Sequence, residues 1–357
     1  MINKYKKAIF FAPGTRDFFE KWSWYQSDLM VLKQTAEEVL VCFNLSEFLL
    51  ALPKTSFIYC TWWHQSIIPI IFGKLLKKPV LVTGAIHMFD RSGVRHYYKA
   101  NFLYRLLNKL ALRFADANLF ISQDQYISIT NNIYVNNPRV VYSSLKKNAL
   151  EYDQVINFRN SQKKNKVKFI EIVTVLWQTP DTLKRKGVWE CLNAIKKLSN
   201  EEKSNIRWTV LGKRGEGTNK LRIEINKAKL NKIISIFENP TEDQKNKFLL
   251  NADIFLQPSW CEGLGLAVIE AAALGALPVV SKYTAQPETV PDNRFIPEDM
   301  KPGSIAKTLS LIINLKKDDR DKAKKKAMKY VHDKFSFEKH LKEVKKILRD
   351  LNIKKNN

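Results

Sequence analysis

The stretch from Gln257 to Val280, QPSWCEGLGLAVIEAAALGALPVV, constrains the fold more than any other part of the sequence. Short apolar runs predict one strand over Ile254 to Gln257 and a second over Leu277 to Val280. Between them, glycines predict a tight turn, and the run from Leu264 to Leu274 predicts a helix that ends at Gly275. Strand, turn, helix and strand form a βαβ unit, so the sequence indicates a parallel sheet.

Two acidic residues in this stretch indicate what the unit binds. Glu262 lies in the glycine turn, and Glu270 lies in the helix among alanine, valine and isoleucine neighbours. A buried carboxylate is costly unless hydrogen bonds are donated to it, and two vicinal sugar hydroxyls would supply them. Backbone N–H groups at the helix N-terminus form an anion site, which Gly263 and Gly265 leave open to a phosphate. The pattern favours a nucleotide sugar; the alternative is a structural βαβ unit whose glutamate is salt-bridged to a neighbouring helix.

The spacing of these residues resembles a known donor site. Pro258-Ser259, Glu262-Gly263-Leu264-Gly265 and Glu270 match the hallmark of the retaining glycosyltransferases of group 1 (family 4), which have the GT-B fold. The resemblance implies that Glu262 faces the transferred sugar as a catalytic residue. It also implies that Gly263, Leu264 and Gly265 bind the donor and that Glu270 takes the ribose hydroxyls.

A basic pair before another predicted helix is similar to a second family motif. The run from Thr182 to Leu198, TLKRKGVWECLNAIKKL, places Arg185 and Lys186 directly before a glycine. The resemblance implies that Lys186, with Arg185 beside it, binds the donor diphosphate. A fixed cation lowers the cost of the negative charge that the leaving diphosphate gains in the transition state. The Gly-Arg that many members carry at the end of the preceding strand is absent, and VLWQTP stands there instead.

The first half of the chain carries further matches to the family. A hydrophobic strand leads to His87, and the resemblance implies that this catalytic histidine contacts the donor sugar or its phosphate. The alternative is a loop histidine bonded to the backbone. By the same resemblance, the loop after the first strand, FAPGTRDF, is expected to line the acceptor side through Gly14 and Thr15. It holds one glycine where the family's loop is often glycine-rich.

Strand and helix patterns repeat in both halves of the chain. They predict an α/β fold of two Rossmann-like, doubly wound domains facing across a cleft, and 357 residues suffice for two domains. The polar run over 146–166 is interpreted as a linker. The expected divisions are an acceptor-side domain over 1–160, a nucleotide-sugar-binding domain over 161–330, and a C-terminal helix over 331–357 that crosses back to the first domain.

Charge gives a separate indication of the partners. Lysine and arginine number 60 against 35 acidic residues, so the net charge is +25 and a polyanionic partner or surface is expected. The predicted helix Phe102 to Phe114 carries a stripe of Arg105, Lys109 and Arg113. This stripe fits either docking on anionic lipid or a core helix with a solvated basic face. No nucleic-acid partner is expected, because no recognised nucleic-acid module accompanies the charge; a basic nucleic-acid-binding protein stays an alternative.

Taken with the resemblance, these patterns predict a glycosyltransferase. The donor would be a nucleotide diphosphate sugar, with UDP-sugar favoured, and the acceptor a hydroxyl of a cell-surface glycan or lipid-linked saccharide. Another GT-B enzyme, such as a sugar-nucleotide epimerase, is the alternative. The family generally works without a catalytic metal, so neither metal nor cofactor is expected.

The sequence also bounds where such an enzyme works. The apolar run at the N-terminus is short for a signal peptide, and no run approaches the ~20 apolar residues of a membrane span. Four cysteines without a paired spacing fit a reducing compartment. We therefore expect a cytoplasmic protein, with peripheral attachment at the inner face of the membrane as a further expectation.

Overall fold

Parallel β-sheet forms the centre of both halves of the computed structural model, which describes residues 4–21, 23–53, 55–94, 96–147, 149–162 and 169–353. Internal packing divides the chain into two units. The first unit comprises Met1–Phe89, Arg95–Ala149 and Phe335–Asn357, and the second comprises Asp90–Val94 and Leu150–Lys334.

Six parallel strands form the sheet of the first unit, in the order β2-β1-β3-β4-β5-β6. They are β1 (Tyr5–Phe11), β2 (Ala36–Cys42), β3 (Phe57–Thr61), β4 (Val80–Gly84), β5 (Ala117–Phe120) and β6 (Pro138–Val140). The strands β3, β4 and β5 are buried along their whole length, as expected for parallel strands with helices on both faces. Ile9 lies between Leu40 and Ile58 in the register, so β1 is an interior strand next to the edge strand β2.

In the described residues of the first unit the chain forms seven α-helices. They are α1 (Arg16–Lys21), α2 (Ser23–Thr35), α3 (Leu45–Ala51), α4 (Ile67–Leu75), α5 (Phe102–Phe114), α6 (Gln123–Thr130) and, from the C-terminus, α16 (Phe337–Asp350). The helix α16 packs against α2 and buries Val344 and Leu348 in the same apolar cluster as Phe10. The last segment of the chain therefore completes the core of the first unit.

Five parallel strands form the sheet of the second unit, in the order β11-β10-β7-β8-β9. They are β7 (Ile170–Val175), β8 (Ile206–Gly212), β9 (Ile234–Glu238), β10 (Ile254–Leu256) and β11 (Leu277–Val279). The helices of this unit are α7 (Tyr152–Gln162), α8 (Pro180–Arg185), α9 (Val188–Lys197), α10 (Asn200–Ser204), α11 (Gly217–Lys227), α12 (Glu242–Asn251), α13 (Leu266–Ala273), α14 (Pro302–Ile313) and α15 (Lys317–Lys334). The two parallel sheets confirm the α/β prediction of two Rossmann-like units.

The predicted βαβ unit is present as β10, α13 and β11, with shorter elements than expected. The helix α13 begins at Leu266 because Gly265 has a φ of 100°, a left-handed conformation that precedes the helix. It ends before Gly275, whose φ of 86° confirms the predicted stop. The strands β10 and β11 are adjacent and parallel, and Phe255 lies opposite Pro278.

The predicted linker is wrong over part of its length, because it contains the helix α7. Val155 is fully buried there, and Tyr152, Ile156 and Phe158 pack against the same apolar cluster. This helical spacing is inconspicuous in the sequence because asparagine, glutamine and other polar residues separate the apolar positions. The part of the predicted linker from residue 163 onward lies outside the described residues. The boundaries between the units fall at 149/150 and 334/335, against the expected 160/161 and 330/331.

Two further properties bear on the compartment. All four cysteines, Cys42, Cys60, Cys191 and Cys261, are buried and unbonded to one another. Of the helices in the described ranges, none combines the length and the apolar character that crossing a bilayer requires.

Candidate functional site

The order of the strands marks one place in the second unit where a ligand can bind. From β7 the chain builds β8 and β9 on one side and then returns to build β10 and β11 on the other. The loops after β7 and β10 therefore diverge at the carboxyl edge of the sheet, where open α/β sheets bind ligands. The motif that begins at Gln257 follows β10 directly and lies at this edge.

A buried glutamine fixes the loop after β10. The side chain of Gln286 is fully buried, and its Nε2 donates to the carbonyl of Gln257 at 2.8 Å. Its Oε1 accepts from the backbone N–H groups of Ser259 and Ser281, each at 2.8 Å. One side chain thus holds the loops after β10 and β11 together. The resemblance to the family did not single out Gln286, although it directly precedes the Pro-Glu pair at 287–288.

Two cations and a carboxylate meet at this loop. Lys186 forms an ion pair with Glu262, and Nη1 of Arg185 lies 3.3 Å from Oε1 of the same carboxylate. The three side chains are only 11–12% exposed. Ser259 Oγ also donates to Glu262 Oε1 at 3.2 Å. The structure therefore brings together three residues that the sequence predicted for the donor site.

The turn between α8 and α9 is pressed against the loop after β10. Gly187 has a φ of 68°, and a Cβ at this position would lie 2.2 Å from the carbonyl oxygen of Pro258. The N–H of Trp260 donates to the carbonyl of Arg185 at 2.8 Å, and Arg185 Nη1 donates to the carbonyl of Cys261 at 2.9 Å. Glycine is needed here because any side chain would push the basic pair away from Glu262.

The glycine turn and the helix α13 provide backbone donors beside this cluster. Gly265 is the N-cap residue, and no side chain caps the helix. The first N–H groups of α13 are therefore available to an anion. Of the predicted donor-binding residues in the turn, Leu264 is buried and Gly263 is half-buried, and only Gly265 has a left-handed φ.

Glu270 has a protein partner. Its Oε2 lies 3.1 Å from Nζ of Lys245 on α12, and 21% of its side chain is exposed. This is the salt bridge to a neighbouring helix that the alternative interpretation of the sequence describes. Oε1 of Glu270 makes no hydrogen bond with the part of the chain that the structure describes. One oxygen of the carboxylate therefore stays available to a ligand.

Lys245 was not predicted from the sequence, where it is one lysine among many. Burial opposes its charge, but Glu270 and Glu242 outweigh this effect and hold the pKa of Lys245 above its ordinary value. It is therefore a fixed cation beside Glu270. No local pattern marks it, since the two residues are 25 positions apart on different helices.

The remaining predicted residues belong to the first unit. His87 is half-buried in the loop that follows β4, and its carbonyl accepts from the N–H of Tyr97 at 2.8 Å. Gly14 follows β1, is exposed, and donates its N–H to the carbonyl of Phe43 at 3.2 Å. Thr15 Oγ1 accepts from the N–H of Phe18 at the start of α1. All three lie at the carboxyl edge of the first sheet.

A strained tryptophan at the same edge was missed. Trp62 directly follows β3 and has a φ of 67°, which is rare for a bulky residue. Its Nε1 donates to the hydroxyl of Tyr25 at 2.8 Å, and its ring meets Trp24 edge to face at 5.3 Å. The strain is visible only in the backbone, so the sequence carried no sign of it.

The second unit resembles a known family in its sequence. Residues 160–330 match the family described as Glycosyl transferases group 1. Comparison with curated protein sequences gave no match.

Solved structures of similar fold include three that span nearly the whole chain. HepE of Anabaena in complex with UDP and glucose is 13% identical, covers 97% of this chain and 100% of its own, and has a TM-score of 0.72. Sucrose-phosphate synthase of Thermosynechococcus elongatus is 12% identical, with 97% and 99% covered and a TM-score of 0.74. A glycosyltransferase of Rickettsia africae is 15% identical, with 98% and 99% covered and a TM-score of 0.70. At these identities the likeness shows the fold alone.

Proposed function

We propose, from the match of residues 160–330 to the group 1 family, that the chain is a retaining glycosyltransferase using a nucleotide diphosphate sugar. The donor phosphates bind at the loop after β10 and the N-terminus of α13. The sugar is transferred to a hydroxyl of a cell-surface glycan or lipid-linked saccharide. UDP is the favoured nucleotide, which is supported by the binding of UDP in the similarly folded HepE.

One observation carries this proposal: two cations share a single carboxylate in a largely buried site. Arg185 and Lys186 both contact Glu262, which leaves the cluster with one more positive than negative charge. A diphosphate beside them would balance that charge and accept hydrogen bonds from the first turn of α13. In the transition state the leaving diphosphate gains negative charge, and cations already fixed in place lower its cost.

Glu270 is proposed to hold the ribose. Its Oε1 is open to a hydroxyl, while Lys245 fixes the other oxygen. An ionised carboxylate is a strong acceptor for two vicinal hydroxyl groups. The ion pair with Lys245 is thus compatible with a ligand role, because it orients Glu270 rather than occupying both oxygens.

A panel of donors tests the site. UDP-, GDP- and ADP-sugars are mixed with the protein, and the thermal shift and the slow hydrolysis of the donor are measured. A donor present at about a hundred times its Kd should stabilise the fold by ~2.7 kcal/mol. Glu270→Gln keeps the shape of the side chain and removes its charge, so it should abolish most of that stabilisation.

Glu242→Gln is the matched control for this experiment. Glu242 also pairs with Lys245, at 3.0 Å, but 53% of its side chain is exposed. Both variants remove one acidic partner of Lys245, so a loss confined to Glu270→Gln reports ligand contact. If Glu270→Gln responds to every nucleotide sugar as the wild type does, the assignment of the ribose to Glu270 is wrong.

The chemical step is proposed from the family resemblance. The donor phosphate assists the acceptor hydroxyl from the same face of the sugar, with Glu262 facing the sugar and His87 contacting the sugar or its phosphate. No metal or other cofactor takes part. The rate of transfer should therefore be unchanged by EDTA, and His87→Ala should lower kcat while the donor-induced thermal shift is kept. Loss of activity in EDTA that added magnesium restores would contradict the metal-free step.

A further inference from the structure

The helix α5 exposes several of its large apolar side chains to solvent. Its buried residues are Asn108, Ala111 and Leu112, two of which are small or polar. Phe102 and Leu103 on the opposite face are 72% and 61% exposed, and Leu106 and Phe114 are also exposed. This is the reverse of the usual arrangement of a surface helix, in which such residues face the core. The exposed face of α5 therefore needs an explanation beyond folding.

The neighbouring helix α4 shows the same feature. Ile68, Ile71 and Leu75 recur at helical spacing and are all exposed, with Leu75 reaching 72%. The residues that α4 buries are Pro69, Ile70 and Gly73. The helices contact each other, and both pack on the apolar cluster that lines one face of the first sheet. The exposed faces of α4 and α5 therefore lie on the same side of the first sheet, and both face away from it.

We call the exposed side chains of these two helices the α4–α5 surface: Ile68, Ile71, Leu75, Phe102, Leu103 and Leu106. Cations accompany it. Lys77, Lys109 and Arg113 are exposed on or directly after the two helices, and the sequences of α4 and α5, IIPIIFGKL and FLYRLLNKLALRF, contain no acidic residue. Apolar side chains with lysine and arginine interspersed match an anionic lipid interface, where the former enter the acyl boundary and the latter meet the headgroups.

We propose that the α4–α5 surface docks the protein on an anionic lipid bilayer, an inference that rests on the proposed function for its lipid-linked acceptor. A second copy of the chain is a poorer occupant, because a symmetric interface would bring Lys77, Lys109 and Arg113 of both copies together. A bilayer with anionic headgroups instead complements every one of these charges. The basic stripe predicted from the sequence is then the electrostatic part of a surface whose apolar part only the structure reveals.

Vesicle flotation tests this surface. The full chain is mixed at low salt with vesicles of phosphatidylcholine alone or of phosphatidylcholine and phosphatidylglycerol in equal parts. The wild type should float with the anionic vesicles only. The double variant Leu75→Glu with Phe102→Glu should reduce the bound fraction by about tenfold or more, because it removes two apolar contacts and adds two repelled charges. Lys109→Gln with Arg113→Gln should weaken binding and reduce its dependence on salt.

The matched control is Ile223→Glu on α11 of the second unit, a side chain that is 51% exposed and lies outside the α4–α5 surface. It should float as the wild type does. Circular dichroism and size-exclusion chromatography on all variants report folding and oligomeric state. The proposal is overturned if the wild type ignores anionic vesicles, if Ile223→Glu loses as much binding, or if Leu75→Glu with Phe102→Glu instead dissociates a dimer.

The thermal shift with UDP-glucose is measured on the same preparations. A variant that no longer floats but keeps its thermal shift with UDP-glucose has lost lipid binding through the α4–α5 surface and not donor binding. If the protein floats but shows no thermal shift with any nucleotide sugar, the proposed function is wrong and the proposal of a membrane-docking surface is unaffected. The two proposals can therefore fail separately.

Discussion

Single residues decide the electrostatics of both units. In the second, Arg185, Lys186 and Glu262 form a cluster with one positive charge in excess. In the first, a buried acid and a buried histidine face each other: Oδ1 of Asp28 lies 3.4 Å from Nε2 of His340. Burial raises the pKa of Asp28 to about 7 and lowers the pKa of His340 to about 4. Both groups therefore favour their neutral forms, as expected for side chains far from water.

The raised pKa of Asp28 makes the stability of the protein depend on pH. The folded protein keeps this proton up to about pH 7, whereas the unfolded chain loses it near 3.8. The stabilisation is complete below the unfolded value and is lost as the pH rises through about 7. Asp28→Asn mimics the protonated acid at every pH. It should raise Tm at about pH 8.5, and much less at about pH 5.

The measurement is a thermal melt of wild type and Asp28→Asn at both pH values. One pKa unit corresponds to ~1.4 kcal/mol, so the gain at high pH is on the order of a few kcal/mol at most. The lowered pKa of His340 acts in the opposite sense between about 4 and 6.5, within the same pH range, and comparing the variant with the wild type at one pH reduces its contribution. Equal destabilisation by Asp28→Asn at both pH values would mean that an ionised Asp28 pairs with a charged His340.

At the scale of elements, one arginine joins the ends of two helices. Arg159 on α7 donates from Nε to the carbonyl of Leu274 at 2.9 Å, and from Nη2 to that of Ala252 at 2.7 Å. Leu274 and Ala252 are the C-cap residues of α13 and α12. A cation at a helix C-terminus satisfies carbonyls that lack a partner in the helix and interacts favourably with its dipole. Gly275 allows this approach, since its Cβ would lie 2.3 Å from Arg159 Nε.

Arg159→Leu should therefore destabilise the second unit. Hydrogen bonds from a charged group contribute ~1.5–3 kcal/mol each, and carbonyls left without partners add to the loss. Urea unfolding measures the change. Arg294→Leu is the control, because Arg294 pairs with Asp292 on the surface at 2.8 Å and should matter little. Equal midpoints for the two variants would show that Arg159 does not hold the helix ends.

At the scale of the whole molecule, the C-terminus serves the first unit. The helix α16 follows α15 directly in sequence, yet its buried residues pack with Tyr5, Phe10 and Phe57 near the other end of the chain. Leu348→Ala removes a fully buried side chain from this cluster. We expect a loss of ~2–5 kcal/mol, since the surroundings of a truncated core residue relax only in part.

Hydrogen exchange measures which of the two units loses stability in Leu348→Ala. The amides of β1 and β3 should lose protection in Leu348→Ala, and those of β7 and β8 should keep it, because the two sheets have separate apolar clusters. Lys346→Ala on the exposed face of α16 is the control and should exchange as the wild type does. Equal loss of protection in both sheets would show that the two units unfold together.

Much of the geometry of the candidate site could be predicted from the sequence because its signals are local. Gly265 and Gly275 bound α13 through backbone conformations that glycine adopts readily, and Arg185-Lys186-Gly187 places cations at a turn. The helix α7 was missed because its few apolar residues, of which only Val155 is fully buried, are interspersed with polar residues. Lys245, the partner of Glu270, could not be predicted from the sequence because it lies on another helix.

The sequence by itself determined the α/β class, the βαβ unit and the glycine turn before α13, because periodicity and glycine placement act within a few residues. Only the tertiary structure decided which side chains meet. Strand order brings Arg185 into contact with Glu262, which lies 77 positions later in the sequence. The tertiary structure also makes α16 part of the first unit, whose first strand begins at Tyr5. It also decided that α5 buries Asn108 and exposes Phe102. A helical period defines a face, but only the packing of distant segments determines which face is covered.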